Sequence, residues 1–79
     1  MHFVYILFSA SLNKFYIGST NNIELRLYKH LHSKKGFTSR ARDWIVVYHE
    51  EHSTKSDALI REKHIKKWKN RYLIETLIK

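Results

Sequence analysis

The sequence predicts an α+β fold, an α/β sandwich in which a small mixed or antiparallel three-stranded sheet is flanked by helices in the order β-β-α-β-α-α. Three observations predict it. His2–Phe8 and Trp44–Tyr48 are strand-length runs of β-branched and aromatic residues. Ile23, Leu27 and Leu31 recur at i, i+4 and i+8, the spacing of one apolar helix stripe. Thr54 followed three residues later by Asp57 is a capping-box spacing, which opens a second helix.

Taken in order, His2–Phe8 is the first strand and Ser9–Asn13 its turn. Lys14–Ile17 returns as a second strand that Gly18 stops, making a hairpin. Asn21 is placed to cap the next helix, with Glu24 completing the box, and the helix runs to about His32. Lys34-Lys35-Gly36 opens a basic loop that reaches Asp43. Trp44–Tyr48 is apolar on both faces, which places it centrally in the sheet. The Thr54 helix continues to about Trp68. Asn70 then caps a last helix that turns Leu73, Ile74, Leu77 and Ile78 inward.

Composition narrows the function classes. With 79 residues the chain is expected to form one domain, residues 1–79, around a small core. Hydrophobic residues make up 43%, enough for a globular fold. There is no cysteine, so neither disulfides nor thiolate metal sites contribute. Fifteen Lys and Arg against seven Asp and Glu give a net charge of +8, a field that attracts polyanions. Phe3–Phe8 is too short to span a membrane, and no Lys or Arg precedes it as in a signal peptide. The expected location is therefore the cytoplasm, without a membrane partner. So small a core also suits a homodimer or a partner protein recruited through exposed aromatics such as Phe37.

Several residues could carry chemistry. Glu62 falls inside the apolar arc of its helix, between Leu59 and Ile65. A carboxylate there is costly unless paired or metal-bound, and it can equally reach Lys66 as an i, i+4 surface pair. Arg26 and His30 are four apart on one helix face, where a guanidinium can clamp a phosphate and an imidazole can relay a proton. Tyr5 and Tyr16 lie on the paired strands; either becomes a base only if cationic neighbours lower its pKa, a field that Arg26 and a divalent metal could supply. Lys34, Lys35, Arg40, Arg42, Lys66 and Lys69 are candidate nucleic-acid contacts. His30-x-His32 and His49-x-x-His52 lack matching cysteines, so structural zinc is not expected.

These segments also form an ordered set. Val4-Tyr5-Ile6 and Tyr16-Ile17-Gly18 are followed by Ser19-Thr20, Asn21-Asn22, Arg26-x-x-x-His30, Gly36-Phe-Thr-Ser-Arg40, Trp44–Glu50 and Ala58–Lys66. Over nearly the whole chain this resembles the GIY-YIG nuclease superfamily, in particular the small excinuclease-subunit-C-like bacterial proteins. The resemblance implies the GIY-YIG fold and an endonuclease that cuts nucleic acid, DNA first, with one Mg²⁺ or Mn²⁺ and no organic cofactor. It implies that Tyr5 or Tyr16 helps generate the nucleophile. Arg26 would balance charge on the phosphate, His30 would stand near the proton path, and Glu62 would be the sole protein ligand of the metal. It implies that Gly18 lets the strand end turn close to the site. Val4 stands where the first tripeptide has glycine. Asn70 is the candidate for a late family asparagine, and it reads equally well as a helix cap.

Overall fold

The computed structural model describes residues 1–79. Its elements are β1 (His2–Ser9), β2 (Lys14–Thr20), α1 (Ile23–Leu31), a short 3₁₀ turn (Phe37–Arg40), β3 (Ile45–His52), α2 (Lys55–Trp68) and α3 (Arg71–Ile78). The three strands form one antiparallel sheet in the order β2-β1-β3. This is the expected α+β architecture.

Strand β1, not β3, is central. Val4, Tyr5, Ile6 and Leu7 are each at most 2% exposed, so β1 is buried on both faces. β3 was expected in the middle as Trp44–Tyr48, yet it runs on to His52 at the sheet edge and leaves Ile45 57% exposed. Its register slips where Ile6 faces Tyr48 and Leu7 faces Val46, so Val47 is the extra residue of a β-bulge. β2 also outlasts its expected end at Ile17: Gly18 sits inside the strand, opposite Tyr5, and pairing continues to Thr20.

Alternation along the strands makes two cores. On one face Val4 and Ile6 pack with Ala58, Ile65 and Ile74 of α2 and α3, joined by Phe15, Ile17, Val47 and Trp68. Val4 is wholly buried there, so valine at this position fills a core that glycine would leave short of contacts. On the other face Tyr5 and Leu7 pack with Ala41 and Trp44, and with Ile23, Leu27 and Leu31 of α1. Ile74, Leu77 and Ile78 turn inward as expected, whereas Leu73 is 40% exposed on the outer side of α3.

The caps explain the helix starts. Thr54 Oγ1 accepts from Asp57 N–H, and Asn70 Oδ1 accepts from Tyr72 N–H. At α1 the cap is Asn22, not Asn21: Asn22 Oδ1 accepts from Leu25 N–H at 3.0 Å. The β1–β2 turn is held from two sides. The Asp43 carboxylate accepts from Ser9 Oγ, Ser11 N–H and Ser11 Oγ, bonds that keep its pKa below the ordinary range. Arg71 donates to Asn13 O and Oδ1, bracing an asparagine in the left-handed region at φ +54°.

Candidate active site

The α1 face of the sheet carries a connected set of phenols and imidazole. Tyr5 points from β1 across β2, where its Oη lies 2.8 Å from His30 Nε2. His30 Nδ1 lies 3.0 Å from Thr38 Oγ1, and the Trp44 indole N–H donates to the Thr38 carbonyl at 2.9 Å. Tyr16 packs edge-on against His30 with centroids 4.8 Å apart, and Phe37 stacks on Tyr16. Phe37 is thus half-buried inside this cluster under the Arg40 guanidinium, rather than an exposed docking aromatic.

Gly18 makes the arrangement sterically feasible. A Cβ at that position would meet Tyr5 Oη at 2.5 Å and Tyr5 Cζ at 2.7 Å. The glycine therefore serves close approach by a side chain crossing the strand, not the turn that the sequence suggested.

Electrostatics fix the protonation states. Burial pushes the Tyr5 phenol far above its ordinary value; the Tyr16 phenol and the Glu62 charge add to this, and Arg26 pulls the other way. The expected lowering by Arg26 is present but smaller than desolvation, so Tyr5 is a neutral phenol. His30 is 8% exposed; burial first, and then the Arg26 charge, lower its pKa. A neutral phenol donating to Nε2 requires the tautomer in which Nδ1–H donates to Thr38 Oγ1. Because the His30 pKa is depressed on folding, the unfolded chain takes up this proton first as pH falls. Stability should therefore decline below the ordinary histidine range, near pH 6.5. Thermal melts from pH 7.5 to 5.5 should show this slope, reduced in His30→Gln.

Glu62 reaches the sheet edge from the other face. Its side chain is 15% exposed, accepts from Ser19 Oγ at 2.7 Å, and holds Lys66 Nζ at 2.6 Å. The inward arc and the i, i+4 pair expected as alternatives are both realised. No hydrogen bond joins Glu62 to either phenol, but only edge strand β2 stands between them, and the carboxylate charge acts on Tyr5. The protein's ion pairs are His52–Glu50, Arg61–Glu50, Lys66–Glu62 and Arg71–Glu75, which leaves the exposed Arg26 fork uncommitted. Arg26, Ser19, Thr20, Asn21 and His2 line one open cleft of about 350 Å³ that links the Arg26 side to the Ser19–Glu62 side.

The basic candidates divide. Lys34, Lys35, Arg40 and Arg42 are exposed on the α1–β3 connection, with Arg42 reaching the Leu31 carbonyl at the end of α1. Lys66 is committed to Glu62. Lys69, the left-handed C-cap of α2, lies beside Asn13, Lys14 and Phe15 at the opposite end of β2 from Ser19. Asn70, at the same end, caps α3. Ser19, Thr38 and Trp44 were not singled out for site roles by the sequence; all three lie within its ordered set of segments, but nothing local showed whom they would touch.

The family comparison covers the elements that carry these residues. A family model described as the GIY-YIG catalytic domain covers residues 1–75, from the β1 tyrosine through Glu62 and into α3. The chain belongs to the GIY-YIG family. A UPF0213 protein of Staphylococcus haemolyticus is 39% identical over 66 residues, covering 82% of this chain and 79% of that protein. A UPF0213 protein of Staphylococcus epidermidis is 38% identical over the same shares. No solved structure matches. Among GIY-YIG domains this one has its paired tripeptides at Val4-Tyr5-Ile6 and Tyr16-Ile17-Gly18, opposed on antiparallel strands with Tyr5 facing Gly18.

Proposed function

We propose that the protein is a metal-dependent endonuclease of the cytoplasm, a single GIY-YIG domain over residues 1–79. It would hydrolyse phosphodiester bonds of DNA with structure-selective or weak sequence specificity, in repair or recombination. The observation that carries this reading is the buried Tyr5–His30–Thr38 chain beside an uncommitted Arg26, with Glu62 across one edge strand. No helix is long and apolar enough to cross a membrane.

The residues divide the work. Arg26, free in an open cleft, receives the scissile phosphate through its planar fork. Tyr5 can pass its proton to His30 Nε2 and in the same movement accept one from the attacking water. The water oxygen then bonds phosphorus as the bond to the leaving oxygen breaks. Thr38 holds the imidazole in the tautomer that leaves Nε2 free to accept. Tyr16 lines the path against His30.

Glu62 fits a hard divalent ion. It is a carboxylate oriented by a hydroxyl, and no group of three or more His, Cys, Asp or Glu side chains surrounds it. A Mg²⁺ or Mn²⁺ there would draw its remaining ligands from water and substrate oxygens and supply Lewis-acid stabilisation of the phosphoryl and leaving oxygens.

The test is incubation with flapped, branched and nicked DNA, and with matched RNA, in Mg²⁺ or Mn²⁺. Metal-dependent cleavage of DNA is expected. The Lys66–Glu62 pair favours a second reading, a non-catalytic nucleic-acid-binding module that keeps the fold. It would bind these substrates and cut none. Under either reading, binding through Lys34, Lys35, Arg40 and Arg42 should weaken with salt at a slope of about −3 to −4 in log K against log salt. Replacing Lys34 and Lys35 with alanine should reduce that slope by about 2, read by fluorescence anisotropy across a salt series.

A further inference from the structure

Both oxygens of the Glu62 carboxylate have partners. Oε1 is fixed by a neutral donor, Ser19 Oγ at 2.7 Å, and Oε2 is held by the Lys66 ammonium at 2.6 Å. The two partners differ in kind. Ser19 is anchored on strand β2 with a single short side-chain rotor, so its hydroxyl has little reach beyond Oε1. Lys66 is half-exposed, one turn along α2 from Glu62, on a flexible four-carbon stem.

A divalent cation reaching Oε2 would stand within a few ångströms of the ammonium. A +2 and a +1 charge about 4 Å apart repel even at the dielectric of water, and more strongly at a protein surface. The two therefore compete for the oxygen. α2 offers Lys66 no other carboxylate nearby, since its one other acid, Asp57, lies nine positions back near the helix start. Lys66 makes no other ion pair in the structure, so a phosphate oxygen brought by the substrate is the replacement anion open to it.

We propose that Lys66 is a built-in competitor of the divalent cation at Glu62 and transfers to a substrate phosphate when the cation takes its place. The proposal rests on the reading of Glu62 as the metal ligand. Metal and nucleic acid then bind with positive coupling: the cation frees Lys66 for the phosphate, and the phosphate frees Glu62 for the cation. Linkage makes the two effects equal. Lys66 is in this sense a positioning residue that ties occupancy of the metal position to arrival of substrate.

The experiment measures Mn²⁺ binding by calorimetry to the wild type, Lys66→Met, Lys66→Arg and Glu62→Gln. Affinity for a labelled, cleavage-resistant phosphorothioate flap DNA is measured with and without Mn²⁺. Lys66→Met should bind Mn²⁺ about fivefold to tenfold more tightly than the wild type, Lys66→Arg about equally, and Glu62→Gln weakly. Mn²⁺ should raise the wild-type affinity for DNA more than that of Lys66→Met. Unchanged or weaker Mn²⁺ binding by Lys66→Met, with Glu62→Gln still impaired, overturns the competition and leaves Glu62 as the ligand. Wild-type Mn²⁺ affinity in Glu62→Gln overturns the metal reading itself, and the proposal with it. An equal Mn²⁺-dependent gain in DNA affinity in wild type and Lys66→Met overturns the transfer to phosphate.

Discussion

Trp44→Ala should lower stability by about 3–5 kcal/mol, the range for removing a large ring from a packed core. The indole is 2% exposed and lies against Tyr16 and Phe37 on the α1 face. For a domain of 79 residues, total stability of roughly 4–12 kcal/mol makes this a large fraction of the whole. A fall in Tm of roughly 15–25 °C is expected in calorimetry. The effect should reach the site as well. The Trp44 N–H is the bond that fixes the Thr38 carbonyl, and the Thr38 hydroxyl meets His30. Trp44→Phe should therefore keep most of the stability and still disturb the His30 tautomer, visible in its ¹⁵N imidazole shifts. A melting temperature unchanged in Trp44→Ala would show that this core contributes little.

Gly18→Ala should cost about 2–3 kcal/mol although it adds only one methyl group to an exposed-edge strand. The backbone at Gly18 is ordinary extended strand, so conformational strain is not the cause. The new Cβ would lie 2.5 Å from Tyr5 Oη and 2.7 Å from Cζ, and the buried ring has no room to retreat while it is bonded to His30. The test is a double-mutant cycle with Tyr5→Phe, which removes the nearest atom. The two substitutions should couple, with the pair costing less than the sum of the singles by about 1 kcal/mol. Simple additivity would mean that the phenol oxygen is not the atom that limits the space at Gly18.

These two residues also show where sequence reasoning reached and where it stopped. Local signals were legible. The helix start at Thr54 and the cap at Asn70 both depend on residues within three positions; both N-caps formed as read, the former through Thr54 Oγ1 accepting from Asp57 N–H. The β3 placement failed because an apolar run on both faces describes a central strand and an exposed edge equally; β1 has the same property and won the centre, leaving Ile45 exposed. Arg26, His30 and Glu62 were marked by residue type and helical phase, as was the Glu62–Lys66 pair. The long-range partners of His30 and Glu62 were not. Ser19 and Glu62 are 43 positions apart, and Tyr5 and His30 are 25 apart, so only the folded chain names them. Gly18 was marked as a breaker, but its use for side-chain clearance required knowing that Tyr5 faces it across the hairpin. The balance between Arg26 and burial at Tyr5 was likewise invisible, because the depth of a phenol is a tertiary property.

The measurement that bears most directly on the site is cleavage of a flapped DNA in Mn²⁺ by the wild type, Glu62→Ala and Arg26→Ala. Each variant should retain the wild-type circular dichroism and lose at least about a hundredfold in rate, since each removes a charge aimed at the reacting phosphate. Metal-dependent cutting that survives both substitutions at the wild-type rate would contradict the assignment of Glu62 and Arg26.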